Sequence, residues 1–276
     1  MKTNDRPLYD LMNAVDTGAA QLPDFQRGWV WDDGRIRALI LSVIHNFPVG
    51  AAMFLEYGNE SIHFKHKPIE GSGANPNTEP DELILDGQQR LTSLYNALYS
   101  KNPVHTKTDK GKEIDRYYYL DIEKALDPSA DDEEVVVSIP ASRQVTSDFG
   151  RKIEKDLSTR QDEFRLKMFP LNIILNSSEE QGWQNEYYAY YNYDPAIIRQ
   201  FTDLFSKIIM PTQKYAMPVI LLDKETPKEA VCQVFENVNT GGVSLTVFEL
   251  VTAIFAMDDF PLRKDWEERK EKYFSA

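Results

Sequence analysis

Apolar residues recur along this chain at two spacings, and the switches between them mark out its elements. At Ile36, Leu39, Ile40, Val43 and Ile44 the steps are three and four, which lays one stripe along a helix. Phe47-Pro48-Val49-Gly50 ends that helix, because proline cannot continue it. Pro7 to Ala20 reads as an earlier short helix, and Leu22 to Trp31 as an extended stretch. Ala51 to Tyr57 and Ile62 to His66 read as two strands around a Gly58-Asn59 turn signal. Glu70 to Pro80 is rich in Gly, Pro and Asn and reads as a surface loop. It leads into Leu83-Ile84-Leu85, a buried strand, and then into Leu91, Leu94, Tyr95 and Leu98 at helical spacing.

Tyr117 to Asp121 and Val135 to Ile139 have the character of strands, separated by an acidic loop. From Ser142 to Phe205 the pattern is mostly helical. It carries an aromatic cluster, Trp183, Tyr187, Tyr188, Tyr190, Tyr191 and Tyr193, whose expected role is internal packing. Tyr215 to Leu222 is a buried strand. Thr226-Pro227-Lys228-Glu229 and Thr246-Val247-Phe248-Glu249 are capping boxes, each opening a helix. The whole predicts an α+β fold: a mixed sheet in residues 1–141 and a mostly helical lobe, 142–276, closing the same domain. Leu262 to Ala276 reads as an amphipathic helix cut off mid-pattern, so a further domain is expected beyond it.

Composition narrows the function classes. Hydrophobic residues make up 42% of 276, enough for a large core. Acids exceed bases by 44 − 31 = 13 and the pI is about 4.8. That disfavours whole-surface nucleic-acid binding, which needs Lys and Arg against phosphate, but leaves room for a local basic patch. The single cysteine, Cys232, excludes an intrachain disulfide and a cysteine-rich zinc site. His63 and His66, three apart on a predicted strand, fall on opposite faces and make a poor metal pair. With no signal peptide and no spanning apolar run, the expected location is cytoplasmic, without membrane contact.

Three polar clusters interrupt the apolar pattern: Asp24, Gln26, Arg27 and Trp31; Asp86-Gly87-Gln88-Gln89-Arg90; and Asn237, Asn239 and Gly241-Gly242. The central one occupies a strand-to-helix turn, where backbone N–H groups and the positive end of the helix dipole favour an anion. Gly87 lets a phosphate approach the backbone. Arg90 at a helix start opposes the dipole, which an anion bound between them would relieve. Gln88 and Gln89 suit positioning of a water, and Asp86 suits a divalent metal or proton acceptance. The plainer alternative is a capped turn, with Asp86 as N-cap and Arg90 in a salt bridge. Trp31 is open to two readings, a core tryptophan or an aromatic face for a base. The Asn237–Gly242 run is either a helix C-cap or a pocket wall. No P-loop, G-x-G-x-x-G fingerprint or G-x-S-x-G elbow occurs.

In these same blocks the chain resembles the N-terminal domain of GmrSD-type, modification-dependent restriction and phage-defence proteins. The matching stretches are Pro23-Asp24-Phe25-Gln26-Arg27 with Trp31, Phe47-Pro48-Val49-Gly50, Leu85 to Leu94, and Phe235 to Gly242 with Leu245 and Glu249. The resemblance implies a ParB/sulfiredoxin-like core that binds a nucleoside triphosphate and hydrolyses it with a divalent metal, Mg²⁺. It implies catalytic roles for Asp86, Gln88, Gln89 and Arg90, with Asp86 as metal ligand. Nucleotide contacts would come from Gln26, Arg27, Trp31, Gly87, Asn237, Asn239 and Gly241. The implied partners are DNA, met through the full-length protein, and a nuclease domain on the same or a partner chain. The rival expectation is a DNA-binding or modification-sensing module that uses the same groove without turnover.

Overall fold

The computed structural model describes residues 2–58, 62, 64–148, 151–227, 229–231, 251, 252, 255, 260 and 262–274. Strand β1 (Lys2–Pro7) leads into helix α1 (Leu8–Thr17), and β2 (Ala20–Pro23) follows. Helix α2 (Asp33–Ile44) begins where Asp32 accepts the Arg35 N–H at 2.9 Å. Its buried stripe is Ile36, Leu39, Ile40, Val43 and Ile44, the residues whose spacing defined it. Strand β3 (Ala52–Glu56), the two-residue β4 (His66–Lys67), β5 (Glu82–Asp86) and helix α3 (Gln88–Leu98) complete this half.

Strands β6 (Val104–Lys107) and β7 (Glu113–Asp121) come next, then the short helices α4 (Ile122–Leu126) and α5 (Asp132–Val135) and strand β8 (Val136–Pro140). Strands β9 (Gln144–Ser147) and β10 (Lys152–Asp156), helix α6 (Arg160–Arg165) and β11 (Met168–Pro170) lead to the longer helices α7 (Ser177–Tyr190) and α8 (Pro195–Leu204). A π-helical stretch, Phe205–Ile209, joins α8 to α9 (Met210–Gln213). Strand β12 (Ala216–Leu222) then returns to the first half, and α10 (Leu262–Phe274) is the last described element.

The main sheet has the order β1-β12-β3-β5-β2-β4 and is mixed. β12 runs antiparallel to β1 and parallel to β3, with Val219 opposite Ala52. β5 lies antiparallel to β3 and parallel to β2. Because side chains alternate, β3 and β5 serve two cores. Phe54 and Ile84 join the large cluster under α1, α2 and α3, whereas Leu55, Leu83 and Leu85 meet Phe25, Phe64 and Leu222 on the other face. In the second sheet β7 is central, flanked by β8 on one side and by β6 and β11 on the other.

Three expectations need correction. The second of the two expected strands, Ile62 to His66, is reduced among the described residues to the two-residue β4, which pairs with β2, while both edges of β3 are taken by β12 and β5. The stretch from Ser142 is not mainly helical at its start. β9 and β10 form a hairpin with a bulge between Ile153 and Lys155. Val145, Thr146 and Ile153 are β-branched, and too few apolar residues recur there to make a helical stripe. The extended reading of Leu22 to Trp31 holds only to Pro23, after which the chain turns, with Gln26 N–H on Pro23 O at 3.2 Å.

The aromatic cluster divides by position. Trp183 and Tyr187 are fully buried and stacked, with centroids 4.9 Å apart, and Phe201 lies against Trp183 at 5.7 Å. Tyr188 and Tyr191 pack beside them, while Tyr190 and Tyr193 stay exposed. His63, Cys232, the Thr246 capping box and most of the helix after Thr226 lie outside the described residues. Among the described residues no helix is long and apolar enough to cross a membrane.

Candidate functional site

β5 ends at Asp86 and α3 starts at Gln88, so one residue must reverse the chain. That residue is Gly87, at φ +91, a left-handed conformation that side-chain-bearing residues adopt at a cost. A Cβ there would also stand 3.1 Å from the Ala52 Cβ and 3.3 Å from its Cα. Gly87 is therefore the N-cap, and no side chain caps α3. Asp86 faces outward beside the turn, its side chain 39% exposed, with Oδ2 3.2 Å from Arg90 Nη2. The alternative in which Asp86 caps the helix does not occur, whereas its salt bridge to Arg90 does.

The remaining polar groups of the turn hold neighbouring segments in place. Arg90 is 19% exposed and donates Nη1 to Val49 O at 2.7 Å and Nη2 to Ala51 O at 2.9 Å. It thereby clasps the Phe47–Gly50 loop, and Gly50, at φ +86, has no room for a Cβ beside the Arg90 Nη1 atom. Gln88 donates to Arg27 O at 2.7 Å and Gln89 to Gly28 O at 3.2 Å, while Gln89 Oε1 accepts the Val30 N–H at 2.9 Å. Gln26 reaches in the opposite direction, from Nε2 to Ile84 O at 2.8 Å and Leu85 O at 3.2 Å. The first two polar clusters are thus one structure, joined by amide side chains on main-chain carbonyls. Trp31 packs against the main core and its carbonyl accepts the Thr106 hydroxyl. Asn237, Asn239 and Gly241 lie outside the described residues.

Two further groups border this site that spacing alone did not reveal. Lys67 Nζ donates to Gln26 O at 2.5 Å, and Asp24 N–H bonds Lys65 O at 2.9 Å as β4 comes alongside β2. Lost hydration raises the Asp24 pKa above the usual aspartate value, even though Lys65 and Lys67 pull it down. The basic run Lys65-His66-Lys67 was the available signal, but its nearness to Gln26 depends on strand pairing. Glu70 is the second group. Its Oε1 accepts the Trp29 N–H at 3.0 Å, and Trp29 Nε1 donates to the Ser93 hydroxyl at 3.0 Å, itself bonded to Gln89 O.

For a divalent cation, no group of three or more His, Cys, Asp or Glu side chains occurs among the described residues. An all-protein cage is therefore not what this turn offers. One outward carboxylate does fit the habit of Mg²⁺, which takes one or two carboxylates and completes its shell with phosphate oxygens and water.

Comparison with known proteins gives the family of the chain. The GmrSD restriction endonuclease N-terminal domain family matches residues 8–256. The uncharacterized protein MJ0686 of Methanocaldococcus jannaschii is 28% identical over 276 residues, covering 96% of this chain and 43% of that protein. The chain thus spans less than half the length of the curated relative it matches. The turn, the 24–31 segment and the Phe47–Gly50 loop that Arg90 clasps all fall within the matched span, and the chain belongs to the GmrSD restriction endonuclease N-terminal domain family, a module of restriction systems.

Proposed function

We propose that this domain binds a nucleoside triphosphate at the Asp86 turn and hydrolyses it with a divalent metal, Mg²⁺, as the regulatory part of a DNA restriction system. The observation that carries the reading is the uncapped start of α3. A left-handed glycine presents main-chain N–H groups beside an outward carboxylate, and four side chains brace that arrangement from behind. Phosphoryl transfer asks a protein for positioning and charge stabilisation above all.

Asp86 has the direct role, as ligand to the metal or proton acceptor from the attacking water. The metal, when bound, supplies charge neutralisation on the phosphates and a more acidic water. Three of the five Arg90 N–H donors hold Val49, Ala51 and Asp86, which leaves two for a phosphate. Arg27 adds a second cation at the rim. Gln88 and Gln89 act by setting the 27–30 segment against the turn, and through it any water held there. Asn237, Asn239 and Gly241 complete the pocket in this proposal, together with Gln26 and Trp31. The nuclease domain it controls, and the DNA that domain meets, belong to the longer protein.

Phosphate release from each NTP with Mg²⁺ tests this, with Asp86→Asn beside the wild type. The expected loss is about 10²-fold or more, the usual size for a positioned acid–base group. A wild type that releases none, or an unchanged rate in Asp86→Asn, would refute it.

A second reading has its own support in Lys67, whose ammonium bonds Gln26 O, and in Lys65, which with Lys67 draws on the Asp24 carboxylate, in a chain of net charge −13: DNA binding or modification sensing without turnover. Steeply salt-dependent DNA binding that persists without nucleotide would favour it.

A further inference from the structure

The end of α3 far from the Asp86 turn lines a cleft of about 370 Å³, within the range of small-molecule sites. Eleven residues at 1.5 Å each put the two ends of the helix about 16 Å apart, so the two places are distinct. Asp16 of α1, Tyr95 and Tyr99 of α3, Gly71 and Gly73 of the preceding loop, and Asn172 form its walls. None of them takes part in the site already described.

This cleft is built by specific bonds. Tyr95 and Tyr99, one helical turn apart, stack with centroids 5.6 Å apart and planes 29° from parallel. Tyr9, exposed, lies 6.1 Å beyond Tyr99 and extends the aromatic surface. The Tyr95 hydroxyl donates to Asp16 Oδ1 at 2.6 Å. Asn96 fixes the loop through Glu70 O at 2.9 Å and leaves Gly71 no room for a side chain. In the same loop the Ser72 hydroxyl oxygen is buried without a hydrogen-bond partner.

The chemistry of the lining selects among ligands. A carboxylate has about four lone-pair sites and donates nothing, and Tyr95 takes one of Asp16's. The Lys101 ammonium at the lip is paired with Glu179, so the lining offers no surplus of positive charge for a phosphate. Stacked rings bind the flat face of any base, whereas a carboxylate discriminates by the donors on its edge. We propose that the cleft is a second binding site that takes a flat heterocycle with adjacent N–H donors, held against Tyr99, which Tyr95 backs from the core, and bonded to Asp16. Guanine, with its ring N–H beside an amino group, is the nucleobase that presents this edge. Adenine and cytosine set their amino group beside an acceptor.

The same base reaches the cleft as a free nucleoside or within single-stranded nucleic acid, and the acidic lining favours the nucleoside. Calorimetric titration of the whole chain with guanosine, adenosine and a thymidine oligonucleotide carrying one guanine separates these. Guanosine is expected to bind, adenosine at least tenfold more weakly, and the oligonucleotide no better than guanosine. Asp16→Asn keeps an acceptor for Tyr95 and should cost guanosine tenfold or more. Tyr99→Ala should do the same and leave phosphate release from NTPs at the wild-type rate, whereas Tyr99→Phe should bind like the wild type. No guanosine binding at millimolar concentration, equal affinity across the wild type, Asp16→Asn and Tyr99→Ala, equal affinity for adenosine, or tighter binding of the oligonucleotide would each overturn the proposal.

Discussion

Arg90 shows how a residue's partners decide what it can do. Its position at a helix start was readable from the chain, but its carbonyl partners lie 41 and 39 residues upstream, where spacing says nothing. The guanidinium both faces the turn and locks the Phe47–Gly50 loop. Gly50→Ala should therefore act on two fronts, forcing φ +86 on a residue with a Cβ and pushing the guanidinium aside. The expected loss is about 1–3 kcal/mol in urea unfolding. Glu180 is a second instructive residue. It is 2% exposed, its Oε1 has no partner, and burial raises its pKa above the usual glutamate value. A raised folded-state pKa means that the folded protein holds the proton more tightly than the unfolded chain. Its stabilising contribution is thus full below the unfolded value of about 4.3 and is lost as pH rises through the folded value. Glu180→Gln should flatten the decline of stability with pH above that point, which melting temperatures across the pH series would read directly.

Among the elements, α3 packs against α1 and α2, and its first turn works through main-chain partners. Gln89 holds both Gly28 O and the Val30 N–H, so Gln89→Ala should release the 28–30 segment while sparing the helix, whose apolar face is untouched. Faster hydrogen exchange at the Val30 amide, by about tenfold or more, is the expected sign, matching a lost bond of roughly 1–1.5 kcal/mol. Elements with a continuous apolar stripe, α2, α3, β5 and β12, were legible because burial on a fixed face imposes a period. β1 was not, since Lys2 to Arg6 are all polar and the strand exists through main-chain pairing at the sheet edge with apolar β12. Nor could the chain show which strand β4 joins: β12, arriving from more than 160 residues later, takes one edge of β3, and β4 pairs with β2. The turn itself was legible as chemistry, through its run of acid, amides and guanidinium. Its link to Gln26 and Arg27 could not be read, because it runs through backbone carbonyls of residues whose types do not report it.

At the scale of the molecule, one core crosses the boundary expected at residue 142. Leu120 and Val136 share a hydrophobic cluster with Phe164, Trp183 and Phe201, and β12 is inserted between β1 and β3. The site therefore rests on a frame that draws on both halves of the chain. Net charge tells against a general nucleic-acid surface, 13 acids in excess, and throws weight on Arg90 beside Asp86 and on Lys67 beside Gln26. The central claim is that phosphates seat on the first turn of α3. Its most direct test is a titration of the isotope-labelled chain with a non-hydrolysable NTP and Mg²⁺, read by NMR on backbone amides. Saturable shifts centred on Gly87, Gln88 and Gln89 and lost in Asp86→Asn are the predicted result. Saturable binding that leaves those three amides unmoved, or no binding at all, would contradict it.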